Sequence, residues 1–247
     1  MEHGSTRCRA RAVVLTGAVV ALVAALTAAP AAARPSPAPT VDIQPAAGLA
    51  PDGRSITLQL LAECPERWSV VEAVVAVSQP QASGRASFPL VCIGSLRMFT
   101  VSVPSAGDAF ELVATQVTAS VVIKRGKTQR AEDSEAVRVQ PLVLVELAES
   151  ARLESGGGAV LLAVTVACPV QTTGVESRLV VSQGQAQGVG TYTPVCDGAP
   201  HTFAVRVEAS RGVYQPGIAQ ALTFANVEFG GMAFYGIDDD GSLEIVG

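Results

Sequence analysis

The sequence predicts an all-β protein built from two tandem copies of one domain. The pairs Cys64/Cys92 and Cys168/Cys196 are both 28 residues apart, and a shift of 168 − 64 = 104 aligns them without a gap. Apolar residues alternate with polar ones in short runs between Gly and Pro clusters, which is typical of strands. Hydrophobic residues make up 49% of the chain and aromatic residues only 4%, so the core is expected to consist of small aliphatic side chains.

The 104-residue shift aligns more than the cysteines. Cys-Pro, Ser-Gln-x-Gln-Ala and Phe-x-Val-x-Val begin at Cys64, Ser78 and Phe99 in the first copy and at Cys168, Ser182 and Phe203 in the second. A duplicated unit is expected to close its bridge within itself, so we predict the disulfides Cys64–Cys92 and Cys168–Cys196. In the loop-entropy model each would stabilise its copy by about 3.5 kcal/mol.

The first copy contains about seven strand patterns, near residues 41–45, 55–64, 70–79, 85–92, 97–103, 110–123 and 135–140. Seven short antiparallel strands in about 100 residues predict an immunoglobulin-like antiparallel β-sandwich. The antibody cysteine spacing is absent, because the paired cysteines are only 28 residues apart and Trp68 follows the first by four. We therefore predict two tandem immunoglobulin-like β-sandwiches, at residues 41–141 and 142–247, each with one internal disulfide.

The N-terminus has the pattern of a signal peptide over residues 1–33. Arg7, Arg9 and Arg11 precede an uncharged apolar stretch over residues 12–29, and small residues follow at 31–33. An uncleaved membrane anchor is the alternative. Residues 34–40, rich in proline, are predicted to be a disordered lead-in.

Charge and cysteine content limit the compartment and the partners. Removing residues 1–33 leaves 17 − 3 = 14 basic and 22 − 1 = 21 acidic residues, a net charge of −7. Such a chain is poorly suited to nucleic acid or to an anionic membrane surface, so we expect neither as a partner after cleavage. Four remaining cysteines in two pairs predict a secreted, extracellular or cell-wall-associated protein, and no cofactor is expected.

No catalytic constellation is recognisable in the sequence. His201 is the only histidine beyond residue 33 and has no nucleophile motif to act on. Gln79 and Gln183 occupy equivalent positions at a strand end, where they would either bind a sugar hydroxyl or hydrogen-bond the turn backbone.

Two short segments are candidate sites. Asp238, Asp239 and Asp240 form an acidic run that would either bind a cation through carboxylate oxygens or keep a hairpin turn in water. Phe234 and Tyr235 have no aromatic counterpart in the first copy. They would form a recognition surface if exposed, or a cap on the second core if buried.

The segment from Cys168 to Val205 carries the pattern Cys-Pro, Ser-Gln and then Val-Cys-Asp-Gly-x-Pro-His-Thr-Phe-x-Val. With its looser copy in the first half, this pattern resembles secreted actinobacterial proteins with repeated immunoglobulin-like domains. The resemblance covers nearly all of the chain after residue 33 and implies a fold, but no particular activity. The enediyne-binding apoproteins resemble the chain less, because their paired cysteines lie much closer together.

The preferred function is therefore a non-enzymatic binding or adhesion module whose ligand is a protein or a cell-wall polysaccharide. The alternative is a structural spacer or accessory protein without its own ligand. An enzyme or a small-molecule carrier is a more remote alternative.

Overall fold

The structure, a computed structural model, describes residues 38–247, except for the side chains of Ser155, Asp239 and Asp240. The predicted signal peptide and most of the lead-in lie outside the described residues. Within 38–247 the regular structure is β-strand apart from one 3-10 turn at Ser155–Gly157, which confirms the all-β prediction. In this part of the chain no helix has the length and apolar character needed to span a membrane.

The first half contains seven strands: β1 Thr40–Leu49, β2 Ser55–Glu63, β3 Ser69–Ser78, β4 Ser83–Ser87, β5 Leu96–Pro104, β6 Thr115–Arg125 and β7 Lys127–Pro141. The predicted positions of β2, β3 and β5 are correct within one residue. The prediction near 135–140 was too short, because β7 pairs with β6 from Arg125–Lys127 onward around Gly126. Charged residues along that hairpin hid the alternation from sequence analysis.

The second half contains eight strands: β8 Leu144–Leu153, β9 Ala159–Ala167, β10 Thr173–Gly174, β11 Ser177–Gln183, β12 Ala186–Tyr192, β13 His201–Arg211, β14 Gly217–Phe229 and β15 Met232–Val246. Two residues, 142 and 143, lie between β7 and β8. Strand β9 and the strands after it repeat β2 and its successors at the predicted 104-residue shift.

Each half is a single continuous sheet that is barrel-like in form, and the immunoglobulin-like sandwich stays a prediction. The strand order is β4-β3-β6-β7-β1-β2-β5 in the first half. It is β10-β14-β11-β12-β13-β9-β8-β15 in the second, where a β14–β15 pairing closes a ring. The sheets are continuous because β1 pairs antiparallel with β2 and parallel with β7, and β8 pairs in the same way with β9 and β15.

Each half has its own core of valine, leucine, isoleucine and alanine side chains. Both predicted disulfides are present, Cys64–Cys92 and Cys168–Cys196. Cys64 and Cys168 are fully buried, and each disulfide joins the end of the second strand of its half to the segment that precedes β5 or β13.

Glycines allow the curled sheets to meet. Gly84 faces Ser105 across a bridge between β4 and β5, and Gly188 pairs with Ala209 at the equivalent place between β12 and β13. A Cβ atom at either glycine would lie well under 3.0 Å from a backbone carbonyl, that of Pro104 or Glu208. The absence of a side chain is therefore a condition for closure in both halves.

Alanine at Gly84 or Gly188 is expected to separate these strands, because the new methyl group collides with backbone rather than with a flexible side chain. We predict a loss of about 2 kcal/mol or more in the free energy of unfolding, measured by urea denaturation. Gly107→Ala and Gly158→Ala, where a Cβ meets nothing within 4 Å, are the matched controls. Equal small losses in all four variants would show that this close approach does not hold the sheets closed.

Candidate functional site

Phe234 and Tyr235 point to opposite faces of β15, because successive residues of a strand alternate. Phe234 is half-buried and packs against the second core. Tyr235 is 66% exposed. The two rings therefore do not share one surface: Phe234 packs against the second core, and Tyr235 faces solvent.

Tyr235 belongs to a larger apolar surface on the outside of the second sheet. We call this surface the apolar face and define it by six side chains on β11, β12, β14 and β15: Val180, Val189, Leu222, Phe224, Tyr235 and Ile237. Their neighbours along each strand point into the core, so these side chains point to solvent. Sequence analysis found only Tyr235.

The strand register makes the apolar face continuous. Val189 pairs with Val180, and Val180 pairs with Leu222 on the next strand. Phe224, two residues beyond Leu222, pairs with Ile237. Val189 and Ile237 are 52% and 47% exposed, whereas Val180, Leu222 and Phe224 in the middle are half-buried, so the sides of the face are its most open parts.

The equivalent surface of the first half is more polar and carries more charge. The register places Arg85, Ala76, Thr118, Ser120, Arg130 and Glu132 where the apolar face has Val189, Val180, Leu222, Phe224, Tyr235 and Ile237. Two ion pairs, Arg85–Glu72 and Arg130–Glu132, cover that surface. At two positions the first half has the apolar residue instead: Val74 and Val122 correspond to Arg178 and Asn226 of the second half.

Polar groups lie along one edge of the apolar face. Arg178 is next to Phe224 in the register, and its Nη2 atom lies 3.9 Å from Oε1 of Glu176. These side chains are 66% and 67% exposed, so their attraction is strongly screened. Asn226 donates from its side chain to the Glu176 carbonyl at 2.9 Å, which holds β14 to the residue before β11.

In the acidic run, Asp238 hydrogen-bonds the backbone of a neighbouring strand. Asp238 accepts a hydrogen bond from the Leu147 amide at 2.8 Å, and Asp133 accepts one from the Ile43 amide at 2.9 Å. Leu147 and Ile43 stand at equivalent positions beside the irregularities of β8 and β1. Asp238 therefore repeats in the second half what Asp133 does in the first.

The cation site at Asp238, Asp239 and Asp240 stays a prediction. The side chains of Asp239 and Asp240 are outside the described part of the structure. Their backbone lies in β15 opposite Leu222, where the register with β14 shifts. Among the described side chains no group of three or more potential metal ligands is found.

Gln79 and Gln183 hydrogen-bond the backbone of their own half. The side chain of Gln79 accepts from the Glu111 amide and donates to the Glu111 carbonyl, both at 2.9 Å. Gln183 makes the same pair with Gln215, at 2.8 and 2.9 Å. Of the two roles considered from sequence, contact with the backbone is the one that both residues adopt.

His201 is hydrogen-bonded to an exposed aspartate on the loop before β13. Its Nε2 atom lies 2.8 Å from Oδ1 of Asp197, which also accepts a bond from the Ala199 amide at 3.0 Å. The Ala199 amide, followed by the His201 ring, lowers the pKa of Asp197 below its ordinary value. This pair fixes the turn from Asp197 to Pro200.

The two halves are in direct contact around the hairpin of β14 and β15. Phe229 packs against the core of the first half. A cleft of about 780 Å³ lies beside it, with Met232 and Phe234 on one wall and Leu112 on the other. The Leu112 amide also donates to the side chain of Gln171 at 2.8 Å, which links the halves by a hydrogen bond.

Replacing Asp133 or Asp238 by alanine is expected to lower the free energy of unfolding by about 1.5–3 kcal/mol. Each change leaves a part-buried backbone amide without its charged acceptor. Urea unfolding measures the loss, and Asp108→Ala at an exposed position is the control. A loss no larger than that of the control would contradict the structural role of these carboxylates.

Acid is expected to weaken the Asp197 turn. Because the folded-state pKa is lowered, the stabilisation is present above the unfolded-state pKa and is lost as the pH falls through the folded-state pKa. We predict that Asp197→Asn reduces the dependence of unfolding free energy on pH between about pH 5 and about pH 2. Asp108→Asn is the control, and an unchanged pH profile for Asp197→Asn would refute the prediction.

Comparison with known proteins gives little guidance to function. No protein family model and no curated protein matches the chain. One solved structure that it matches is a Ca²⁺-stabilized adhesin that helps an Antarctic bacterium reach out and bind ice, at 13% identity and a TM-score of 0.28. The match covers 86% of this chain and 49% of the adhesin, so the chain spans about half the length of that protein.

Proposed function

We propose that the chain is an exported, non-enzymatic binding module of two immunoglobulin-like domains, and that the apolar face is its docking surface. The observation that carries the proposal is the contrast between the halves. The same sheet surface carries ion pairs in the first half and six apolar side chains in the second. Because both surfaces belong to one fold, folding alone does not require the apolar side chains.

The energetics of exposure support a docking role. Isolated apolar residues on a surface are ordinary, but contiguous ones mark interaction sites. Burying an exposed valine, isoleucine or tyrosine against a partner stabilises the complex by about 25 cal/mol for each Å² of apolar area removed from water. Polar side chains lie at both ends of the apolar face, Arg178 and Asn226 at one and Ser182, Gln187 and Gln220 at the other, so docking requires desolvation of Arg178 and of these uncharged groups.

The proposed compartment and fold have independent support. Two disulfides in a chain of this size are typical of oxidising compartments, and residues 1–33 have the pattern of a signal peptide. The immunoglobulin-like assignment is supported by the pairing of the first strand with both the second and the last strand of each half. The curled sheets depart from an open sandwich.

The chemistry of the apolar face favours a protein partner over a polysaccharide. Four of its six side chains are aliphatic, and of its two aromatic rings only Tyr235 is largely exposed. Sugar rings stack on exposed aromatic rings, whereas aliphatic side chains match the apolar centre of a protein interface.

A spacer is the second candidate, and the junction between the halves favours it. Only residues 142 and 143 separate β7 from β8, and the Leu112–Gln171 hydrogen bond and the packing of Phe229 connect the halves. A short linker with direct contacts restricts relative motion, which a spacer requires.

The test measures retention of the fluorescently labelled, exported protein on cells of its producing organism. The double variant Tyr235→Ser/Ile237→Ser removes apolar area without touching either core. We expect its apparent affinity to fall by about tenfold or more, because central apolar and aromatic residues dominate binding energy.

The matched control is Val170→Ser/Val213→Ser, which removes side chains that are 66% and 56% exposed elsewhere in the second half. Native retention is expected for this control. Equal loss in both double variants would contradict the assignment of the docking surface. No retention of the native protein would favour the spacer.

A further inference from the structure

We infer that one end of the first half binds an acidic polysaccharide through four cationic side chains. We call this surface the cationic end and define it by Arg67, Lys124, Arg125 and Lys127. The inference goes beyond the proposed function, because the surface belongs to the other half of the chain and takes a different ligand. It is supported by uncompensated charge, by the role of the equivalent positions in the second half, and by a tryptophan among the cations.

The strand register brings the four side chains together. Lys124 pairs with Ser69 at the start of β3, and Arg125 pairs with Lys127 across the β6–β7 turn. Arg67 lies two residues before Ser69. Three adjacent strands span about 10 Å at their usual spacing, so the charges occupy one small surface. All four residues are exposed, and this end of β7 is the one farthest from the junction with β8.

The positive charge of the cationic end is not compensated within the described chain. Residues 34–247 carry 14 basic and 21 acidic residues, yet both lysines of the chain lie here. Elsewhere the arginines engaged in ion pairs include Arg85, Arg130, Arg178 and Arg206. Among the described side chains of residues 38–247 no carboxylate forms an ion pair with the cationic end, and Glu66 beside Arg67 is itself exposed. An anionic partner therefore relieves repulsion among like charges without breaking an existing pair.

The equivalent end of the second half is a contact surface. The register and the 104-residue shift place Gln171, Phe229 and Met232 where the first half has Arg67, Arg125 and Lys127. The side chain of Gln171 accepts a hydrogen bond from the Leu112 amide, Phe229 packs against the core of the first half, and Met232 lines the cleft beside it. This end of the fold therefore serves contact in the second half. In the first half the same positions are cationic, which suits an anionic ligand instead.

The arrangement of the cationic end favours a polymer over a small anion. Its side chains lie at an exposed strand end, where a single ion pair contributes little to affinity. A chain that carries a negative charge on each repeating unit contacts several cations at once and releases the counterions that surround it. The expected ligand is therefore a linear polyanion.

Trp68 favours a polysaccharide among such polyanions. It lies between Arg67 and Ser69, is half-buried against the first core, and is the only tryptophan of the chain. Arg67 is the only residue other than glycine with a positive φ among residues 38–247, at 66°. Such a conformation is costly and persists where the surrounding structure holds it, commonly at ligand sites. An indole beside cations offers a sugar ring an apolar surface next to the partners of its carboxylate. The second half has the buried Thr172 in this place.

The experiment titrates the protein with sodium polygalacturonate and follows the fluorescence of Trp68, which reports from the cationic end alone. We expect a saturable change in emission and a dissociation constant that rises steeply with salt concentration, because counterion release drives binding. Lys124→Gln/Lys127→Gln is expected to raise the dissociation constant about tenfold or more at about 0.1 M salt. It is also expected to reduce the slope of log affinity against log salt by about 1–2, because one contact is lost with each lysine.

The matched control is Arg138→Gln/Arg152→Gln, which removes the same charge from exposed positions away from the cationic end. Its dissociation constant is expected to stay within about threefold of the native value, because charges more than about 10 Å apart are screened at this salt concentration. Neutral dextran is expected to leave the emission unchanged. Urea denaturation checks that both double variants keep the native stability.

Absence of a saturable change in the native protein overturns the inference, and so does an equal loss in both double variants, which would show that net charge alone decides binding. Equally tight binding of inorganic polyphosphate, which has no sugar rings, overturns the assignment to a polysaccharide. Self-association of Lys124→Gln/Lys127→Gln, without polymer binding by the native protein, overturns the inference as well and assigns the cations to keeping copies apart.

The cationic end and the apolar face are tested separately. Tyr235→Ser/Ile237→Ser is expected to bind polygalacturonate with native affinity, because neither residue lies in the cationic end. Loss of polymer binding in this variant would contradict the assignment of the polymer to the cationic end, and leaves the retention measurement on cells to judge the docking surface.

Discussion

The first strand of each half has to satisfy two neighbours that run in opposite directions. Strand β1 pairs antiparallel with β2 and parallel with β7, and β8 does the same with β9 and β15. Each first strand is also irregular after Ile43 or Leu147, where its pairing with β2 or β9 shifts register. The carboxylates of Asp133 and Asp238 accept hydrogen bonds from the backbone amides of these two residues. In the first half β1 connects what would otherwise be separate sheets, and in the second half β8 closes the ring between β9 and β15.

The sequence was most informative about features that duplication copies. The equal cysteine spacing predicted both disulfides, and the matched Phe-x-Val-x-Val segments fall inside β5 and β13. The start of β7 was missed because its inward positions hold Gln129, Ala131 and Asp133, which give no apolar alternation in the sequence. Curling of the sheets also escaped prediction, since it depends on a close approach at Gly84 and Gly188 that is not visible in hydrophobic periodicity.

The candidate site was only partly predictable. Tyr235 was singled out as an aromatic residue without a counterpart, but its relation to Phe224 and Val189 depends on register across three other strands. Alternation along β15 would have separated Tyr235 from Phe234, had that strand been recognised. The contact of Asp238 with Leu147 joins residues 91 apart in sequence. The sequence shows the equivalent Asp133, but it does not show that Asp133 accepts a hydrogen bond from the Ile43 amide, 90 residues away.

Duplication supplies an internal reference for interpreting surfaces. Buried positions in the two halves hold similar side chains because both cores obey the same packing constraints. Outward positions on the same strands are free of those constraints, so their divergence reflects what each surface meets. The ion pairs around Arg85 and Arg130 are suited to water, and the side chains around Phe224 are suited to contact with another apolar surface.

The position of the disulfides also determines the order in which the chain can mature. Each bond closes a contiguous stretch within one half, between cysteines 28 positions apart. Strands β1–β7 are likewise complete before β8 begins. The first half therefore contains every thiol and every strand that its own oxidation and closure require before the second half has been synthesised. When Cys168 reaches the oxidising compartment after Cys64 and Cys92 have paired, the first half offers it no free thiol, so the order of the chain disfavours mispairing between the copies.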